Sequence, residues 1–66
     1  MKEPREKPIV DFTSINANAF SIMGAVVKAL RKEGADKEYC DKYRKEAQSG
    51  DYDHLLQVSM KYCEVC

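Results

Sequence analysis

Three cysteines and one histidine are the side chains of this 66-residue chain best suited to hold a metal or move electrons. Cys40, His54, Cys63 and Cys66 add up to the four ligands of a tetrahedral zinc site. Spacing argues against it. On one continuous helix, the nine residues from His54 to Cys63 span about 13.5 Å. Zinc needs both at about 2.0–2.3 Å, so no metal is expected. Cys63-x-x-Cys66 has redox spacing, yet it falls at the C-terminal end of a helix. Reactive pairs sit at helix N-termini, where the dipole lowers the thiol pKa. An odd cysteine count with no apolar leader points to free thiols in a reducing cytoplasm. Cys40 and Cys63 then read as small buried hydrophobes, and Cys66 as a fraying end.

His54 titrates in the range of general bases, but no nucleophile lies at a fixed spacing from it. It is a candidate for ligand or partner contact, or for a structural hydrogen bond. Asp51 and Asp53 on the same turn suit helix capping. No Gly-rich phosphate loop exists, and no catalytic residue or cofactor is expected. Anions can still bind at a helix N-terminus, and Thr13, Ser14, Asn16, Asn18 and Ser21 make a polar helix start. Lys28, Arg31 and Lys32, with Lys37 close by, form the densest positive cluster. The candidate ligand-binding set is therefore Asn16, Asn18, Lys28, Arg31, Lys32, Tyr52 and His54. The plainer alternative is that the first two only cap a helix and the bases only solvate its end.

The elements that must position these groups follow from periodicity. Residues 1–7 are charged and read as a mobile arm, leaving 8–66 as one small domain. Pro8 to Phe12 is β-prone, and the only other such stretch is Tyr62 to Val65. A first helix runs from about Asn16–Asn18 to Glu33, with an apolar stripe of Phe20, Met23, Val27 and Leu30. Ile22 and Val26 widen it. Gly24 in mid-helix suggests a close helix–helix approach, and Gly34 a left-handed stop. Asp36 caps a second helix, Lys37 to Ser49, whose thin apolar face is Tyr39, Cys40, Tyr43 and Ala47. Acid-before-base pairs Glu38–Lys42 and Asp41–Lys45 mark it as an outer helix. Gly50 ends it, and Asp51 caps a third helix from Tyr52 to about Tyr62. Leu55, Leu56, Met60 and Cys63 form one face of that helix, Val58 and Tyr62 another. The expected fold is mainly α: three short helices, with or without a two-stranded β-ribbon pairing residues near the two termini.

Composition narrows the function classes. The formal net charge is zero, whereas nucleic-acid binders show a basic excess. No apolar run is long enough to span a membrane, and the charged start followed by no apolar region reads as lacking a signal peptide. A core this small comes out near zero stability unless stapled. With no disulfide or metal expected, oligomerisation is the remaining staple. Tyrosine is favoured where a surface becomes an interface. A homo-oligomer is expected, with Ile22, Val26, Tyr39, Tyr43 and Tyr62 at its interface.

The stretches Asp11-Phe12-Thr13 through Asn18-Ala19-Phe20, and Ser49-Gly50-Asp51-Tyr52-Asp53-His54-Leu55-Leu56, resemble a group of short phage and prophage proteins. That resemblance spans residues 8 to 65 and implies a phage or mobile-element accessory protein in the bacterial cytoplasm, with no activity attached. It departs from the group at Ser14-Ile15-Asn16-Ala17, where a more Gly/Asp-rich turn is usual. The expected function is a non-enzymatic, self-associating counter-defence protein. In its most concrete form it sequesters a small nucleotide signal between subunits, its phosphates on the polar and basic ends of the first helix and a tyrosine on its base. One alternative is an inhibitor or adaptor that binds a host protein. Another is a small DNA-binding regulator built on the second and third helices.

Overall fold

The computed structural model describes residues 1–65. The element order is β1 (Ile9–Val10), a 3-10 turn (Phe12–Ser14), α1 (Ala19–Lys32), α2 (Lys37–Ala47), α3 (Tyr52–Tyr62) and β2 (Glu64–Val65). The protein is mainly helical, and the ribbon expected between its two ends is present. β1 and β2 pair in parallel, Ile9 beside Glu64 and Val10 beside Val65. Parallel pairing needs a long crossover, and all three helices lie within it.

Each helix starts on a side-chain cap that satisfies a free first-turn N–H. Asn18 Oδ1 accepts from the Ser21 amide at 2.8 Å, Asp36 Oδ1 from Tyr39 at 2.9 Å, and Asp51 Oδ1 from His54 at 2.9 Å. The end of α1 is equally specified. Gly34 takes φ +99°. Its N–H donates to Arg31 O and that of Ala35 to Leu30 O, both at 3.0 Å. That pair of hydrogen bonds is the Schellman arrangement, and its usual apolar contact is supplied by Ala35 and Leu30, both in the core.

The buried face of α1 is Ile22, Met23, Val26, Val27 and Leu30. This corrects the expected stripe, because Phe20 is 83% exposed. It belongs to the first turn of α1, where its ring lines the rim of a cleft instead of the core. Gly24 is also exposed, and a Cβ there would meet nothing within 4 Å. It lies two residues from Val26, on the opposite side of a 3.6-residue helix, so no close helix approach explains it.

α2 buries the thin face expected of it and leaves its charged residues Lys37, Glu38, Asp41, Lys42, Arg44 and Lys45 exposed. Cys40, Tyr43 and Ala47 are buried, and Tyr43 is the largest fully buried side chain. Its hydroxyl shares a 2.6 Å hydrogen bond with Ser59 Oγ, also fully buried. The expected i,i+4 pairs are replaced: Asp41 meets Arg44 at 3.1 Å, and Glu38 meets the Met1 amino group at 3.6 Å. On α3 the buried residues are Leu55, Val58, Ser59 and Tyr62, while Met60 is 50% exposed.

Residues 1–7, read from sequence as an arm, lie along the α1–α2 turn. Lys2 and Asp36 exchange bonds: the Lys2 N–H donates to Asp36 Oδ2 at 2.8 Å, and the Asp36 N–H to Lys2 O at 3.1 Å. The Arg5 N–H donates to Glu33 O at 2.7 Å and its guanidinium to Lys32 O at 3.2 Å. A cationic side chain on the last carbonyls of a helix also complements its dipole.

Candidate binding cleft

Three of the four tyrosines turn inward. Tyr62 stacks edge-on against Tyr39 at 5.7 Å and against Tyr43 at 5.2 Å between ring centroids. Tyr62 Oη donates to Glu46 Oε1 at 2.8 Å, and Lys61 Nζ to Glu46 Oε2 at 3.2 Å. The hydrogen bonds from Tyr62 and then Lys61 hold the Glu46 carboxyl below its usual range. Burial, with the bond to Glu46 second, pushes the Tyr62 phenol well above its own. The expected interface residues are thereby corrected. Ile22, Val26, Tyr43 and Tyr62 are buried within the single chain, and Tyr39 is half-buried against its core. Only unfolding would offer the first four to another chain.

The fourth tyrosine behaves differently. The Tyr52 hydroxyl donates to Ala17 O, stitching the start of α3 to the loop before α1. Beside that stitch lies an open cleft of about 330 Å³, between the first turn of α1 and the α2–α3 turn. Met23, Ala47 and Leu55 form its apolar floor, Phe20 and Tyr52 its aromatic rim, and Gln48, Gly50 and Asp51 its polar edge. Gln48 Nε2 reaches Met23 Sδ at 3.5 Å. Tyr52 is 43% exposed.

The turn beneath the cleft is fixed by His54. Its Nε2 lies 3.0 Å from Glu46 O and 3.1 Å from Ser49 Oγ, which itself donates to Glu46 O at 2.7 Å. A carbonyl only accepts, so the hydrogen-bond pattern assigns the proton to Nε2. The ring thus closes the last turn of α2. Gly50 makes room for it, since a Cβ there would sit 2.7 Å from His54 Cγ. His54 plays the structural part among those open to it, and the cleft lies beside it.

The remaining candidate ligand residues do not converge. Asn16 Oδ1 accepts from the Asn18 amide at 3.2 Å, and Asn18 caps α1. Lys28, Arg31 and Lys32 occupy the other end of α1, about 15–20 Å away at the helical rise. Lys28 and Lys32 line a second groove with β1, while Arg31 faces the Cys40 side, where its charge acts on that thiol. Burial pushes the Cys40 thiol up and the Cys63 thiol up to about 11. The Cys63 Sγ–H donates to Ser59 O at 3.0 Å. Neither is poised as a thiolate nucleophile. Cys66 lies outside the described residues. Among those described, no group of three or more His, Cys, Asp or Glu side chains is placed to hold a metal, and no helix is long and apolar enough to cross a membrane.

The cleft is thus the site that periodicity missed. Its one sequence signal is Phe20, a large apolar residue in the first turn of α1, beside the polar start of that helix. A scan against protein-family models, and searches of curated proteins and of solved structures, return no match for this chain. No relative supplies a function, and the resemblance to phage proteins gains no support from them. The cleft's own chemistry is apolar and aromatic with one carboxylate, Asp51, and no lysine or arginine. Such a lining favours an apolar group over an anion.

Proposed function

We propose that this chain is a non-enzymatic binding protein that self-associates through the Phe20–Tyr52 cleft. The observation that carries the reading is Phe20, 83% exposed at the rim of an apolar depression. A ring beside a cleft is self-complementary. Under a two-fold axis each Phe20 enters the partner's cleft, as an isologous interface requires. Burying each ring is worth about 1.5–3 kcal/mol, and the axis counts it twice. Charge supports the same arrangement. The first turn of α1 carries no acidic residue, unlike α2 with Glu38 and α3 with Asp53. The partner's Asp51 and Asp53 would supply the negative charge that this helix end lacks.

The nucleotide-sequestering form is less well supported, because the basic end of α1 lies a helix length from the cleft. Sedimentation velocity over a concentration series tests the proposal. Wild type should pass from monomer to dimer, and Phe20→Ser should remain monomeric with an unchanged circular dichroism spectrum. Wild type that stays monomeric to about 1 mM, an affinity too weak to matter, would overturn it. So would a Phe20→Ser dimer as tight as wild type.

A further inference from the structure

A second surface lies on the other side of the molecule, where β1 runs beside α1. The two-strand sheet leaves one edge of β1 open. Glu64 N–H donates to Pro8 O at 2.7 Å, so the ladder to β2 uses the peptide groups flanking Ile9. Along a strand these groups alternate between edges, which turns the N–H and C=O of Ile9 toward the open one. The Ile9 side chain is 64% exposed. Between this edge and α1 runs a shallow groove of about 290 Å³, floored by Ile15, Ala25 and Ala29. Lys28 and Lys32, one helical turn apart, stand along it. Neither appears in any of the three ion pairs among the described residues. The one carboxylate at the groove, Asp11, is held by the Thr13 hydroxyl at 2.6 Å and amide at 3.0 Å.

We propose that this groove takes an extended acidic segment of a partner protein, added as a third strand beside β1. Backbone bonds to Ile9 supply the pairing, small apolar side chains fill the space over Ala25 and Ala29, and carboxylates meet Lys28 and Lys32. Strand addition to an open edge is a general recognition mode in which main-chain bonds give affinity and side-chain pockets give specificity. The charge selects the occupant. Two unpaired lysines on one helix side repel each other, and a carboxylate between them removes that repulsion. The chain already shows the composition that pairs with β1 on its other edge, the Glu64-Val65 of β2. Ala25 and Ala29 add no bulk to the floor, which leaves space for an apolar side chain such as valine.

The test uses the full chain and a defined probe, the peptide acetyl-Glu-Val-Glu-Val-Glu-amide, followed by amide chemical shifts. Saturable shifts are expected at Ile9, Ala25, Lys28, Ala29 and Lys32. The affinity should fall at least tenfold for K28E/K32E, for the lysine-for-glutamate peptide, and for the peptide N-methylated at its central residue. N-methylation removes one strand N–H donor and crowds that edge of the peptide without touching the protein, so a folding defect cannot imitate its effect. Binding should also weaken as salt is added. The inference is overturned if the acidic peptide gives no saturable shifts at the groove, if N-methylation leaves affinity unchanged, or if the basic peptide binds equally well. Shifts confined to Glu64 and Val65, reporting displacement of β2, also overturn it. So does binding of anionic phospholipid vesicles in the absence of any peptide binding, which would assign the lysines to a lipid surface.

Discussion

Tyr43 and Ser59 join α2 to α3 through a single 2.6 Å hydrogen bond between fully buried hydroxyls. Such a bond contributes only about 1 kcal/mol net, yet stranding one partner costs about 1–3 kcal/mol. The two single substitutions should therefore differ. Ser59→Ala removes the partner of the buried Tyr43 hydroxyl, which sits on a rigid ring, and a loss of about 2 kcal/mol is expected. Tyr43→Phe leaves a serine in mid-helix, whose hydroxyl can rotate back to the carbonyl four residues before it, Leu55 O. Its loss should be about 1 kcal/mol. The double variant removes both polar groups at once. Its cost should fall short of the sum of the singles by about 1 kcal/mol, the usual scale of coupling between residues in contact. A chain of this length has about 3–10 kcal/mol in total, so every step is measurable. Urea denaturation followed by circular dichroism gives the four free energies. One protein concentration must be kept throughout, because self-association would otherwise shift the apparent stability. Additive singles, or a Ser59→Ala variant as stable as wild type, would refute the claim that this bond ties the helices together.

Two further perturbations follow from local geometry. Gly24→Ala should raise stability by about 0.5–1 kcal/mol, since the site is an exposed helix interior with free space for a methyl; thermal melts that show no gain would require a role for that glycine. Stability should also fall at both ends of the pH scale. The Glu46 carboxyl is held below its ordinary 4.5. Its contribution is present above that pH and disappears as pH drops through the lower folded-state value. Tyr39, Tyr43 and Tyr62 are all raised above 10.0, chiefly by burial. Their contribution is present below that pH and is lost as pH climbs through the folded-state values. Glu46→Gln should flatten the acid limb and Tyr62→Phe the alkaline limb of stability measured against pH.

Local chemistry made most of the fold legible. Asn18, Asp36 and Asp51 announce helix starts because a short oxygen side chain can reach a free N–H three residues on. Gly34 announces a stop because few other residues accept its φ. Ile9-Val10 and Glu64-Val65 could be paired by elimination, as no other β-prone stretch exists. What periodicity could not decide was which apolar residues the core would use. Phe20 and Met60 fit helical spacing as well as Val26 and Leu55 do, but spacing says nothing about where a neighbouring helix ends. Tyrosine carried a similar ambiguity. An apolar ring with a polar tip fits an interface or a core that holds a partner for the tip, and Ser59 and Glu46 are those partners. The cleft itself depends on which turn folds beside the start of α1, a long-range fact that no local pattern contains.

A net charge of zero conceals two surfaces of opposite sign. The cleft carries Asp51 with Asp53 in the same turn, and the groove carries Lys28 and Lys32. Up to the length of α1, about 20 Å, separates them. Acidic cleft against basic groove would be a heterologous contact, and copies joined that way form open chains unless the rotation closes. In the proposed dimer Phe20 would work against that outcome. Two rings exchanged between two clefts would bury apolar surface on both copies and close the proposed assembly at two. The cleft and the groove share no lining residue, so the proposed pairing would leave both grooves free. Dimerisation and strand addition would then be independent, each insensitive to substitutions in the other, and one dimer would present two identical docking edges to its partner.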